Sequence, residues 1–218
     1  MASQTEIINL ALMKLGQSVV VPNLEDRSKA AQVMMRLWPH SMALVLGDRN
    51  WPFAMRSENL AQDAEPAEPG WSYRYALPTD CVRAIAIVSR SQMAHGIRYS
   101  QLTTTDQVGS MLGAGALSWE LSHGRQQTTI NANVGDGVLI YQGEVTDTRR
   151  MSPHFVEALA CRLAADAAPA LIGDSGLNGQ AAMIDRYKMA LTDAGSLAAN
   201  QSRGDETYVT PSVAARGY

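Results

Sequence analysis

Four histidines, two cysteines, one glycine-rich stretch and two arginine motifs are where this 218-residue chain has the residue types for chemistry. His40, His95, His123 and His154 are scattered, and no two share the i, i+4 spacing by which a His-Glu-x-x-His helix holds zinc. No metal site is expected. Gly109-Ser110-Met111-Leu112-Gly113-Ala114-Gly115 has the glycines of a phosphate loop, yet no lysine follows and no strand-to-helix unit surrounds it. It reads as a flexible surface loop. Cys81 follows Asp80, whose negative charge raises a thiol pKa and disfavours a nucleophile. Cys81 and Cys161 lie far apart in different kinds of segment and read as two buried free thiols rather than a bridge.

Arg149-Arg150 stands just before a helix cap, where two charges meet phosphate less often than they form a solvated corner. Arg203-Gly204-Asp205 and the acceptor pattern Asn200-Gln201-Ser202 both need a secreted chain to matter. The N-terminal Met1-Ala2-Ser3-Gln4 has no basic region followed by an apolar one, and no apolar run reaches eighteen residues, so secretion and membrane spanning are not expected. A net charge of −3 lacks the basic face of a dedicated nucleic-acid binder. No catalytic set can be assembled from these groups, and neither an enzyme nor a cofactor is expected.

The elements that position these residues are written in the hydrophobic period. Ser3-Gln4-Thr5-Glu6 is a capping box, followed by Ile8, Ala11, Leu12 and Leu15 on one helical stripe and Gly16 as a stop. A second helical pattern runs from about Asp26 to Gly47 and crosses Pro39, which predicts a kink or two abutting helices. From Gly70 the period alternates. Strands are expected at Trp71 to Leu77, Val82 to Val88 (with Ile85 and Ile87 on one side), Ile97 to Leu102, Leu117 to His123, Thr128 to Ala132 and Gly137 to Val145. Turns are expected at His95-Gly96, His123-Gly124 and Gly135-Asp136-Gly137.

Helix returns at Ser152-Pro153 with the stripe Phe155, Leu159 and Leu163, ended by Pro169 and Gly173. A last helix, capped by Asp174 or Ser175, carries Ala181, Met183, Ile184, Tyr187 and Leu191. The sequence therefore predicts an α+β fold: an α-helical bundle of N- and C-terminal helices (1–62 and 146–199), an inserted antiparallel β-rich domain (63–145) and an extended C-terminal tail (200–218). In the tail, Tyr208, Val209, Pro211, Val213 and Tyr218 are too apolar for a merely solvating end. A partner site that orders on binding and a frayed terminus fit these residues equally well.

Aromatic residues concentrate at one place. Trp51-Pro52-Phe53-Ala54 and Gly70-Trp71-Ser72-Tyr73-Arg74-Tyr75-Ala76-Leu77-Pro78-Thr79-Asp80-Cys81 stand where the helical period gives way to the alternating one. Trp51, Phe53, Trp71, Tyr73 and Tyr75 are expected to cement bundle to β region as a structural junction. This stretch resembles the head-to-tail adaptor (connector) proteins of short-tailed bacteriophages, the tail tubular protein A group. That family is marked by a helical pair ending in Trp-x-Phe-Ala and then Gly-Trp-x-Tyr-x-Tyr-x-x-Pro-x-Asp-Cys.

The resemblance covers roughly Thr5 to Asp193 and is strongest at the aromatic junction. It implies a structural virion protein at the head–tail junction, made in the host cytoplasm. It further implies a ring of twelve copies, bound to the portal protein above and the tail nozzle or tube protein below. The genome would pass through the lumen without specific binding, and a mildly acidic chain suits that, since tight phosphate contacts would brake transit. The resemblance also favours the tail as the portal-docking segment. The alternative is an unrelated α+β module that binds a ligand or a protein without catalysis.

Overall fold

In the computed structural model the described residues are 2–18, 20–91, 117–123, 127–173 and 176–201, with side chains of the last helix described over 179–196. The glycine-rich stretch, the strand expected at 97–102, the His95-Gly96 turn, Gly124, the cap residues Asp174 and Ser175, and the tail residues 202–218 lie outside them.

Four helices occupy the two ends of the described chain. Helix α1 (Gln4–Lys14) starts on the expected capping box: the Ser3 hydroxyl accepts the Glu6 N–H at 3.2 Å, and the Glu6 carboxylate accepts the Ser3 N–H at 2.6 Å. Helix α2 (Lys29–Asp48) is capped by Ser28 and runs as one helix through Pro39, whose exposed ring costs a single backbone bond. Helix α3 (Pro153–Ile172) begins on Ser152, which accepts the Phe155 N–H at 3.3 Å.

Pro169 does not end α3, contrary to the sequence expectation; the helix continues to Gly173, which takes φ +73° as its C-cap. The ring stands exposed in the last turn, where the backbone bond it removes is the only loss. Helix α4 (Gly176–Gln201) buries Met183, Tyr187, Ala190 and Ala194 at helical spacing. Helix α3 is the hub: it packs against α1, α2 and α4, and its run of buried alanines permits the close approach. N- and C-terminal helices thus share one core, built on Ile7, Leu12, Met34, Leu46, Phe155 and Leu163.

The described residues in the middle of the chain form two three-stranded antiparallel sheets. One has the order β1 (Met55–Asn59), β6 (Gly137–Gly143), β3 (Cys81–Ser89); the other β2 (Tyr73–Ala76), β5 (Thr128–Ala132), β4 (Trp119–His123). Strand β6 is central and buried along its whole length, so it reads as a near-continuous apolar run rather than an alternation. Strand β1 has no apolar period, which is why the sequence reading passes over it. Arg56, Ser57, Glu58 and Asn59 become strand only because β6 offers them a ladder from Tyr141 to Val138.

Ile85 and Ile87 do not share a side of β3. The register to β6 shifts between Ala84 and Ala86, a bulge that takes Ile85 out of the period of two. Ile87 joins Tyr75, Ile130, Leu139 and Tyr141 between the two sheets, while Ile85 joins Val88, Val138 and Ile140 on the opposite face. Among the described residues, four helices and two antiparallel sheets make an α+β fold. Among the described residues no helix is long and apolar enough to cross a membrane.

Candidate functional site

The five junction aromatics do not form one cluster; the structure divides them between two cores. Trp51 is 3% exposed and belongs to the helical core, where its ring meets Phe155 edge-on at 4.9 Å. Phe53 packs on the same Phe155 at 5.0 Å, also edge-on. The Trp51 indole N–H donates to the Val45 carbonyl at 2.7 Å, tying the segment after α2 back onto that helix. Tyr73 and Tyr75 instead stack on each other at 6.3 Å within the β sandwich, and the Tyr75 hydroxyl donates to the Val134 carbonyl. Trp71 is half-exposed and donates to Glu120 at 3.2 Å. Only Trp51 and Phe53 sit at the boundary, because the chain leaves the bundle at Trp51 and the later aromatics are carried away by β2.

Polar and apolar contacts together join bundle to sandwich. Arg83 of β3 donates to the Gly47 carbonyl at 2.9 Å, and Gln142 of β6 to the Trp51 carbonyl at 3.4 Å. Val82 and Val145 add apolar contacts to the helical core. Gln142 is fully buried, and its Oε1 has no hydrogen-bond partner.

Along this seam lies a cavity of about 470 Å³, within the size range of ligand pockets. One wall is the middle of α2, with Trp38, Pro39, Met42 and Leu46. The other is the start of β3 and the chain leaving β6, with Cys81, Val82 and Val145. Thr79, Thr146 and Thr148 supply hydroxyls, and Asp80 and Glu144 are its charged residues.

Asp80 is the centre of a charged network beside the cavity. Arg56 of β1 donates to the Asp80 carboxylate and, through Nη2, to the Glu144 carbonyl at 2.7 Å. The single proton of Tyr141 lies between Glu58 at 3.1 Å and Asp80 at 3.0 Å. Burial, and then the Glu58 carboxylate beside it, push the Tyr141 hydroxyl up to about 12. Gly143 leaves the room that Arg56 needs, since a Cβ there would stand 2.6 Å from the guanidinium Nε.

The Cys81 thiol is raised to about 11, chiefly by burial. The sequence reading gave the right direction from the wrong cause, because the Asp80 charge is already engaged by Arg56 and Tyr141. Both cysteines are free; Cys161 is buried in the helical core as expected, whereas Cys81, also expected to be buried, is only partly so.

A second network lies between helices. Ser41 donates to Asp166 at 2.8 Å, Arg162 pairs with Asp166 at 3.1 Å and lies over the Tyr187 ring at 5.9 Å, and Tyr187 donates to Asp48 at 2.6 Å. These bonds fix how α2, α3 and α4 meet. His40 and His154 are exposed, and His123 lies 3.2 Å from the Thr128 hydroxyl at a strand end. Among the described residues no three His, Cys, Asp or Glu side chains are grouped to hold a metal ion.

Arg149 is bound by Asp147 at 2.9 Å and Arg150 by the Phe53 carbonyl, so both act as local fasteners. Tyr208, Val209, Pro211, Val213 and Tyr218 lie outside the described residues. The Arg56–Asp80–Tyr141 network escaped sequence reading because its members are far apart in the chain, and the only local signal was the Asp80-Cys81 pair at a strand start. No family model and no curated protein matches the chain.

Proposed function

We propose that this chain is a structural virion protein, a head-to-tail adaptor. Twelve copies would form a ring that joins the portal protein to the tail nozzle or tube protein and lets the genome pass through its lumen. The observation that carries the reading is the Trp51-Pro52-Phe53-Ala54 segment. It closes the helical core against Phe155 and then delivers the chain into an antiparallel β insertion, from which two further helices return to the same core. That order of parts agrees with the adaptor family that the aromatic motif resembles. The mild negative charge fits a lumen that must not hold phosphates. The tail is assigned to portal docking on the resemblance and on its apolar content.

The test is direct. Purified chain mixed with portal rings at micromolar concentration should cap them with a second ring visible by electron microscopy; uncapped portals would overturn the reading. Removing residues 202–218 should leave the fold intact, read as a retained cooperative urea transition, and abolish capping. The seam cavity favours a second reading, an α+β binding module without catalysis. Under it the chain stays monomeric with the portal, and a ligand screen by thermal shift finds a compound whose effect vanishes on Met42→Trp.

A further inference from the structure

We propose that the seam cavity is the docking site of the chain's own tail, with Tyr208, Val209 and Val213 seated against the α2 wall. The cavity is lined in part by three buried apolar residues, Met42, Leu46 and Val145, and encloses a space of about 470 Å³. Apolar surface held open in this way favours an apolar occupant.

The geometry of α4 decides which occupant. Arg49, which follows α2 directly, donates to the Leu191 carbonyl at 3.1 Å, and Gly195 lies so near the same guanidinium that a Cβ would stand 2.5 Å from Nη1. The last turns of α4 therefore run beside the end of α2 that carries Leu46 into the cavity wall. Helix continues from Gly195 to Gln201, about 9 Å at the rise of an α-helix. Seven further residues reach Tyr208, a span of up to about 23 Å when extended.

A domain of this size has a radius of gyration of about 17 Å, so the cavity is within reach of its own chain without strain. Tethering makes the encounter intramolecular, at an effective concentration of the order of millimolar, so even a weak fit is populated. The tail has the matching chemistry. Residues 207–213 read Thr-Tyr-Val-Thr-Pro-Ser-Val, without a charge, with β-branched and aromatic side chains for the apolar wall. Thr79, Thr146 and Thr148 line the cavity and bring polar groups suited to an extended segment.

Cys81 lines the cavity and reports its occupancy. In a Cys161→Ala background, the full chain is labelled with a small maleimide and compared with the same chain carrying Tyr208→Ser, Val209→Ser and Val213→Ser. Labelling of Cys81 should be about tenfold faster in the tail variant, the factor expected if the tail is seated ~90% of the time. The native rate should not change on dilution. Equal rates in the two chains would overturn the proposal, and protection that fades on dilution would overturn it in favour of a second copy's tail.

Ala43, exposed on the cavity rim, gives an independent check. Ala43→Trp should fill the space and speed tryptic cleavage after Arg216 by a similar factor, whereas unchanged cleavage would count against tail docking. None of these measurements involves a portal, so they stand or fall apart from the adaptor reading. Portal rings should accelerate Cys81 labelling only if both hold, by drawing the tail out.

Discussion

Trp51 and Trp71 are both tryptophans of the aromatic segment, yet they carry very different weight. Trp51 is buried against Phe155 with its N–H satisfied, so Trp51→Ala should cost about 3–5 kcal/mol by urea unfolding. Trp71 is half-exposed with one surface partner, and Trp71→Ala should cost no more than about 1 kcal/mol. Gly143→Ala makes the same argument from the opposite side. The new methyl would displace the Arg56 guanidinium from Asp80 and the Glu144 carbonyl. A loss of about 1–2 kcal/mol should appear in the urea midpoint, and it should largely vanish in an Arg56→Ala background because the displaced group is gone. At this scale the sequence named Trp51, Phe53, Asp80 and Cys81 as residues to watch. It did not name Arg56 or Tyr141, whose roles exist only because β1 and β3 both pair with β6.

The helices were largely legible as elements because their signals are local. A capping box, an apolar stripe and a glycine stop lie within one or two turns of each other, and α1 follows them closely. Helix α3 shows both the strength and the limit of such signals. Ser152 caps it as expected, and Ser152→Ala should lower stability by about 1 kcal/mol, measured as a drop in Tm. Pro169 looked like a stop, but near the end of a helix a proline removes little that the last turn still needs. Strands were harder. The alternation of Tyr73 and Tyr75 was readable, whereas β1 was not, since an edge strand takes its hydrogen bonds from a neighbour and needs no apolar face of its own. The bulge at Ile85 is equally silent in sequence, because one extra residue reverses the faces of everything after it.

At the scale of the whole molecule, buried acids that keep their protons give the fold a characteristic alkaline limit. Tyr141 holds its proton up to about 12, above the usual tyrosine value of 10.0, and Cys81 to about 11, above the ordinary 9.0. Tyr75 and Tyr187 are raised too, both chiefly by burial. In each case the unfolded chain releases the proton first. The stabilisation is therefore complete below pH 9, fades for Cys81 between pH 9 and 11, and fades for Tyr141 between pH 10 and 12. Urea midpoints taken from pH 8 to 12 should fall across that window, and Tyr141→Phe should make the upper part shallower, leaving the share of Tyr75 and Tyr187, with the lower part in place. A native-like slope in that variant would remove Tyr141 as the cause.

By itself the sequence determined the class of the fold and its order of helices, strands and helices, since period, caps and turn residues act over a few positions. It also determined that aromatic residues gather where helix gives way to strand. Only the tertiary structure decided that those aromatics serve two cores, that a polar strand completes a sheet, and that a cavity opens along the seam beside Asp80 and Cys81. The physical reason is range: burial and pairing depend on residues brought together from distant parts of the chain, and no local pattern encodes which of them will meet.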